Sequence, residues 1–575
     1  MIVFKNHKEE YRTLDWIERI NVCLNRLLHN QNGHDLTVNL LIETGELECA
    51  ITDHFCTEED VNNQIINSFR ELSNIAGNVF YTSWKNNCID HLMVCEFINK
   101  FDSIKSFELP EKFLFGVSEG FAFYGLFPET YIHSSEKFYL HNNNRPVVII
   151  GLRTIGTILS TIVSTVLKKR GCDVISFTLR PRGQPFDRQI KISKKLEQKI
   201  LLHKSDNFII TDEGPGLSGS SFGGTAALLS SLGVRDKNII FFPSWDPDSK
   251  VLNSPNARYH WDSHTKYCSS FESSWIESKR LQNEFNADSL VDISAGHWRK
   301  WLLKGNNEGL AIHPQHERRK YLVSKRGSTS KTPSSIIKFA GLGRYGEYAY
   351  KRSSLLEKSG FIPKLYSFKN GFLEYELIIN NTNNKINKQF LAEAAGYVSY
   401  LKNHFTAKVN VYKEQLLEMV HINICESIGP HYLIFLKDLY NYLDHDYEKN
   451  ICEVDGRMDF YKWVKLGDTY LKTDHTDHHN DQFFPGCQDS AWDIVGGIIE
   501  WNLDDKKEKY FIDMYIEKSR DTLIGKRIKS NKIVYCSFKI GLSKLFKESL
   551  AELPEGCQFE KKYNYYKNYL INILK

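Results

Sequence analysis

The stretch from residue 147 to residue 243 constrains this chain most. Short apolar, β-branched runs alternate there with segments of helix length. VVIIG (147–151) leads into a helical pattern over 156–169. DVISFTL (173–179) follows, then an Arg-rich loop. A helical segment at 193–203 precedes NFIITD (207–212), and a helix over 223–232 precedes NIIFFP (238–243). Strands separated by helices pair in parallel, with helices covering both faces of the sheet. Ligands of such sheets lie beyond the carboxyl ends of the strands. The loops at 151–157, 180–188 and 212–221 are therefore the first places to look for chemistry.

Composition narrows the function classes. A chain of 575 residues holds about three or four domains at ordinary domain size. Hydrophobic residues are 41% and charged residues 25%, which excludes a largely disordered chain. Lys and Arg number 74 against 70 Asp and Glu, a net +4. So small a surplus argues against a protein built around a polyanion such as nucleic acid, and leaves room for a local basic patch; small-molecule substrates are the expected partners. The 12 cysteines contain no CxxC pair, which argues against a zinc ribbon or a thioredoxin motif and fits a reducing cytoplasm. The start, MIVFKNHKEE, lacks a basic-then-apolar signal pattern. Pro146–Leu167 is apolar, but Arg153 and a series of Thr and Ser interrupt it. A buried strand running into a buried helix explains it better than a membrane span.

The expected division is 1–110, 111–290 and 291–575. In the first section, residues 10–30 read as an amphipathic helix. Residues 36–55 read as two strands joined at Thr44-Gly45. Thr57-Glu-Glu-Asp resembles a capping box before a helix reaching about Ile75. This gives a small α+β domain without chemistry of its own. The last section opens with strands at YLVSK and SIIKF, a helix over 347–358 and a strand pair (PKLYSF, GFLEYELI). NNTNNKINK (380–388) reads as a polar surface connection, and 503–575 as mostly amphipathic helix.

At the end of the 207–212 strand stand Asp212 and Glu213, then Gly214-Pro-Gly216-Leu-Ser218-Gly219-Ser220-Ser221. Small residues let backbone N–H groups converge at a helix start, which makes a phosphate cradle. The segment resembles the phosphoribosyl-diphosphate signature of type I phosphoribosyltransferases, with Leu217 and Ser218 where that family more often has Thr and Gly. The resemblance implies that Asp212 and Glu213 hold the ribose and that the loop holds its 5′-phosphate. Gly151-Leu-Arg153-Thr154 is similar to that family's diphosphate loop. Arg180, Arg182 and Arg188 stand where it carries a mobile charged loop, and Trp245-Asp246 where it places groups near the accepting base. Phosphoribosyl diphosphate and Mg²⁺ are the implied substrate and cofactor.

A second cluster is Asp455-Gly-Arg-Met-Asp459, Lys472-Thr-Asp474 and Asp489-Ser-Ala-Trp-Asp493-Ile-Val-Gly496. Phosphoryl transfer needs one carboxylate near the acceptor hydroxyl and others on Mg²⁺. The cluster resembles the aminoglycoside-phosphotransferase branch of the protein-kinase-like fold. That likeness implies Asp455 near the acceptor, Asp474 on the metal with Asp459 as a substitute second ligand, Lys338 paired with Glu347 on ATP, and Glu376 at the hinge. No His or Arg stands two residues before Asp455, and no Asn five after it. Gly341-Leu-Gly343-Arg-Tyr-Gly346 matches G-x-G-x-x-G but follows Lys338, so it reads as a turn before a helix. His475, His478 and His479, beside Asp474, Asp477 and Asp481, lack zinc-ligand spacing and are expected to shape the acceptor or phosphate pocket.

The fold class that follows is multidomain α/β and α+β: a parallel-sheet phosphoribosyltransferase-like core, then a two-lobed kinase-like domain. The implied function is a bifunctional enzyme of nucleotide- or nucleoside-like metabolism that transfers phosphoribosyl to an acceptor and uses ATP to phosphorylate a sugar, nucleoside or related small molecule. The alternative is a regulatory or stress-defence sensor that binds phosphoribosyl diphosphate or nucleotide and signals through a kinase-like lobe. The oligomeric state stays open.

Overall fold

The computed structural model of the chain describes every residue except 4–7, 30–32, 143–144, 304–309, 328–331, 380–384, 408–412 and 477. Asp477 and most of the Asn-rich connection at 380–388 thus lie outside the described residues. Helices α1 (Thr13–His29), α2 (His34–Phe55), α3 (Gln64–Asn86), α4 (His91–Ile104) and α5 (Glu129–Asn142) come first. Five strands follow: β1 (Val147–Leu152), β2 (Val174–Leu179), β3 (Asn207–Thr211), β4 (Ile239–Phe242) and β5 (Thr265–Lys266). They form one sheet in the order β2-β1-β3-β4-β5, every pair parallel. Helices α6 (Ile155–Lys169), α7 (Lys194–Leu202), α8 (Ser220–Ser231) and α9 (Pro255–Ser263) connect them. All residues of β1 are buried, as a strand covered on both faces requires. Pro146–Leu167 is this strand running into α6, and among the described residues no helix is long and apolar enough to cross a membrane.

Residues 36–55 are one helix, not two strands. Thr44 and Gly45 lie in the middle of α2, and every residue from Leu36 to Thr52 is buried. A helix buried all round carries no polar stripe, so its period cannot be read from hydropathy. Gly45 marks a crossing rather than a turn: a Cβ there would lie 2.4 Å from Ile158 Cγ1 of α6. The next helix starts at Gln64, where the Asn63 side chain accepts the Ile66 N–H at 2.8 Å. Thr57–Asp60 therefore caps nothing. The first section is helical apart from the strand Glu9–Arg12, which pairs with Lys112–Phe115. It shares one apolar core with α6 and a face of the sheet, through Leu41, Phe69, Ile149 and Ile158. Leu196, Phe222 and Trp261 close the other face.

A second, antiparallel sheet contains β6 (Ala287–Asp292), β7 (Lys320–Lys325), β8 (Ser335–Phe339), β9 (Leu365–Lys369) and β10 (Phe372–Glu376), in the order β6-β7-β8-β10-β9. Strand β6 was not apparent in the sequence. Phe127 packs on Phe339 and Phe372, with ring centroids 5.7 and 6.0 Å away, so this sheet continues the core of the first half. Helix α10 (Arg344–Lys358) leaves β8 through the triple-glycine segment. That segment is a turn, as expected. Gly343 has φ 52°, and a Cβ on it would meet Asn39 Oδ1 of α2 at 2.8 Å.

The remainder is mostly helical: α11 (Lys388–His404), α12 (Lys413–Ser427), the hairpin β11 (Trp463–Leu466) and β12 (Thr469–Lys472), then α13 (Ala491–Glu500), α14 (Asp505–Ser519), α15 (Ile524–Ser549) and α16 (Pro554–Leu574). It has its own core around Phe390, Trp492 and Tyr535. A cleft separates it from the antiparallel sheet.

Candidate active site

Two places gather the residues singled out by sequence. The first is the carboxyl edge of the parallel sheet. Asp212 and Glu213 follow β3 directly, and the loop after them turns through Gly216 (φ 57°) and Gly219 (φ 70°) into α8. Burial pushes Asp212 up to about 7 and Glu213 up to about 8, the latter helped by Asp212 and Glu119. Gly214 passes under Trp245, whose Nε1 would lie 2.6 Å from an added Cβ. Ser218 and Ser220 hydroxyls are 3.0 Å apart, and Ser220 donates to the Pro185 carbonyl at 2.6 Å. The Ser221 carbonyl accepts the Thr225 hydroxyl. The loop is thus built from the small residues expected, but a carbonyl of the neighbouring hairpin (Arg182–Gln184, Asp187–Gln189) occupies one of its donors.

The arginines are placed differently from expectation. The Arg153 side chain has no exposed surface and pairs with Asp53 at 2.9 Å and with Asp60. Arg180 pairs with Asp53 and donates to the Arg153 carbonyl and the Thr154 hydroxyl. Arg182 pairs with Asp60 at 2.9 Å. Burial alone would raise Asp53, but Arg180 and Arg153 hold its carboxyl below the usual range. Arg188 donates to the Gly183 carbonyl of its own hairpin at 2.7 Å. Three of the four guanidiniums thus already have carboxylate partners. Asp53 lies in the last turn of α2 and Asp60 in the α2–α3 connection, where sequence offered no chemistry.

The second place is the cleft of the other half. Lys338 on β8 points across it to Asp474, just beyond β12, and Lys462 binds the same carboxylate. Burial lowers Lys338 to about 8, against the pull of Asp474. Burial would raise Asp474, yet the two lysines hold it well below the usual carboxylate range. A cavity of about 100 Å³ opens here, lined by Ile336, Lys338, Glu376, Leu377, Val464 and Asp474 among others. Apolar strand residues, the Glu376–Ile378 segment and the Lys338–Asp474 pair line it on different sides.

Asp455 lies 1% exposed behind this cleft. Tyr397 donates to it at 2.5 Å, and Lys472 pairs with it at 3.2 Å. Burial would raise its carboxyl, but Lys472 and His478 hold it far below the usual range. Asp493 accepts the backbone N–H groups of Asp455 and Gly456, so the Trp492-Asp493 segment anchors that loop. Asp455 itself lines neither cavity described; its neighbours Gly456 and His478 line the second, a space of about 130 Å³. The two cavities meet at Glu317, Tyr461 and Lys462, which line both.

Two assignments change. Glu347 does not meet Lys338: it pairs with Arg26 of α1 at 2.5 Å, because the N-terminal helices hold the start of α10. Asp459 lines the second cavity rather than the Asp474 cavity and pairs with Lys562 of α16 at 3.3 Å. The place two before Asp455 is Glu453, whose partner is Arg352 of α10 at 2.9 Å. Arg352 is 2% exposed; an Arg on the buried face of α10, between Ala349 and Leu356, was the signal in sequence that went unread. Tyr397, Lys462 and Lys472 were also missed, since each belongs to a different element.

The histidines divide. His475 is buried, 3.2 Å from the Tyr375 hydroxyl, and lines the first cavity. His478 contacts the Asp455 carbonyl at 3.0 Å and Asp474 at 3.4 Å. His479 meets the Tyr348 hydroxyl at 2.9 Å. Among the described residues no three His, Cys, Asp or Glu side chains form a metal cage. Mg²⁺ needs no such cage: one or two carboxylates with phosphate oxygens and water suffice. Asp474 offers such a carboxylate.

No protein-family model matches this sequence, and no curated protein matches it. Solved structures do align with about half of the chain. Choline kinase LicA from Streptococcus pneumoniae aligns at 13% identity over 52% of this chain and 98% of its own, with a TM-score of 0.33. An ethanolamine kinase from Plasmodium vivax aligns at 14% identity over 61% and 93%, with a TM-score of 0.32. An aminoglycoside 2′-phosphotransferase-IIIa in its GDP complex aligns at 10% over 52% and 99%, with a TM-score of 0.34. At such identities and scores, activity and substrate have to be argued from the residues.

Proposed function

We propose that the chain is an ATP-dependent phosphotransferase acting on a small-molecule hydroxyl, with its site in the cleft between the antiparallel sheet and the helical half. The observation that carries this is the Lys338–Asp474 pair at the back of an apolar cleft, beside a loop whose Asp455 and Gly456 N–H groups Asp493 holds. Lys338 and Lys462 supply positive charge where transferring phosphate gathers negative charge, and Asp474 supplies the carboxylate for Mg²⁺, which when bound would neutralise phosphate oxygens. The acceptor oxygen forms a bond to the γ-phosphorus as the bond to the β,γ-bridging oxygen breaks. ADP departs, and the hydroxyl proton passes to water. Little base strength is needed in so loose a transfer, which is compatible with an Asp455 enclosed by Tyr397 and Lys472.

Phosphoribosyl transfer at the other edge has weaker support. The Gly/Ser loop and the Asp212–Glu213 pair favour a sugar-phosphate ligand there, but Arg153, Arg180 and Arg182 are committed to Asp53 and Asp60.

ATP binding, followed as a thermal shift with and without Mg²⁺, and ADP release test the main reading. The wild type should show a Mg²⁺-dependent shift, and Lys338→Met and Asp474→Asn should each remove ADP release. Full ADP release from both variants would sink the assignment of the cleft.

A further inference from the structure

The cavity beside the nucleotide cleft says what kind of acceptor fits it. Its volume is about 130 Å³, and an apolar cavity of about 150 Å³ takes one benzene ring. There is room for one six-membered ring. One wall is aromatic. His316 stacks on Phe546 with centroids 4.8 Å apart and meets Phe483 edge-on at 4.3 Å. His313 lies 4.4 Å from His316, and Phe559 lies 5.1 Å from Phe546. Such faces and edges favour another flat ring.

The charges lining the cavity are already matched. Glu317 accepts from Lys320 at 2.6 Å and from Trp298 Nε1 at 2.9 Å. Asp459 is paired with Lys562 at 3.3 Å and Asp481 with Arg457 at 3.2 Å. A cationic acceptor would have to displace one of these cations, and a partly buried charge left unpaired costs more than the new pair gains. Burial lowers both His313 and His316 to about 4, so both rings are neutral near pH 7. His313 is 6% exposed; its Nε2 lies 3.1 Å from the Ser549 hydroxyl, while its Nδ1 has no hydrogen-bond partner. A buried ring nitrogen without a partner at the edge of a cavity is a group that a ligand donor satisfies.

We infer that this cavity takes the single planar ring of an uncharged alcohol, the hydroxyl-bearing part of which lies at the junction with the nucleotide cleft. The ring lies against the wall that His316 and the phenylalanines form, and the hydroxyl faces the junction at Lys462. This rests on the phosphotransfer reading and names its substrate class, against an amine or a polyamine.

The test measures ADP release from Mg²⁺–ATP with uridine, cytidine and pyridoxine as probes, and with choline, ethanolamine and kanamycin as contrasts. The ring-bearing alcohols should stimulate ADP release and the amines should not. His316→Ala and Phe546→Ala should each weaken that stimulation about tenfold, the worth of one ring-stacking contact, with the ATP thermal shift followed in parallel as a fold control. If either variant fails to fold, saturation-transfer NMR of uridine with the wild type replaces it, and ring protons that receive no saturation overturn the inference. Stimulation by a cationic amine overturns it, and so does silence from every ring-bearing alcohol while ATP still binds. Failure to bind ATP at all instead removes the phosphotransfer reading, and the inference with it.

Discussion

The Asp493 carboxylate accepts the backbone N–H of Asp455 at 2.7 Å and that of Gly456 at 2.8 Å. One side chain at the start of α13 therefore fixes a loop 38 residues earlier. Both donors are buried, so removing the acceptor leaves two N–H groups unsatisfied. Asp493→Ala should cost about 3 kcal/mol of stability and most of the ADP release. Asp493→Asn, which keeps one acceptor oxygen, should fall between. Denaturant unfolding and an ADP assay read both effects, and an Ala variant with full activity would show that the loop holds itself.

Arg352 acts on the same loop from the other side. It donates to Glu453 Oε2 at 2.9 Å and to the Glu453 carbonyl at 3.0 Å. A guanidinium can make both contacts from its planar fork and an ammonium cannot. Arg352→Lys is therefore expected to behave nearly as badly as Arg352→Ala, each losing about 3 kcal/mol. A lysine variant with wild-type stability would count against this geometry.

The first half grips α10 through charge. Arg344 pairs with Glu46 of α2, and Tyr345 donates to the same carboxylate at 2.8 Å. Glu46 is fully buried. Glu46→Ala leaves Arg344 without its main partner inside the protein and should destabilise by about 3–5 kcal/mol. The two halves should then unfold in separate steps, which calorimetry would resolve.

Two groups of side chains set opposite pH trends. Burial raises Glu213 to about 8 and Asp212 to about 7. Carboxyls raised on folding favour the folded state fully below their unfolded values, near 4, and lose that contribution as pH rises through 7–8. Glu213→Gln should therefore raise Tm at pH 8.5 and change it little at pH 5.

His313 and His316 titrate the other way. Burial lowers both to about 4, from an ordinary value of 6.5. Between those values the unfolded chain binds more protons, so stability falls as pH drops from about 6.5 toward 4. Replacing both with Asn and Phe respectively should flatten this acid limb of the Tm profile. An unchanged slope would mean the rings are solvated.

The alternation of strand and helix from 147 to 243 was legible because each strand is a short continuous apolar run bounded by turn residues. The same is true of β7 to β10, of Lys338 and Asp474, and of the Asp489–Gly496 segment that anchors the loop. Helix α2 was not legible, because uniform burial erases the period that distinguishes a helix from a strand. Glu347 was misassigned for a different reason. Its place at the start of a helix after the lysine strand is right, but the direction of its side chain depends on Arg26, more than 300 residues earlier.

The local order of apolar and small residues by itself determined the strands of the parallel sheet between 147 and 243, their crossover helices and the glycine turns. The partners of the charged groups were decided only by the tertiary structure. Asp53 and Asp60 take three arginines, Lys462 joins Lys338 on Asp474, and Arg352 reaches Glu453. A buried charge stays only where an opposite charge meets it, and which one meets it depends on packing between distant segments, a relationship that no window of sequence contains.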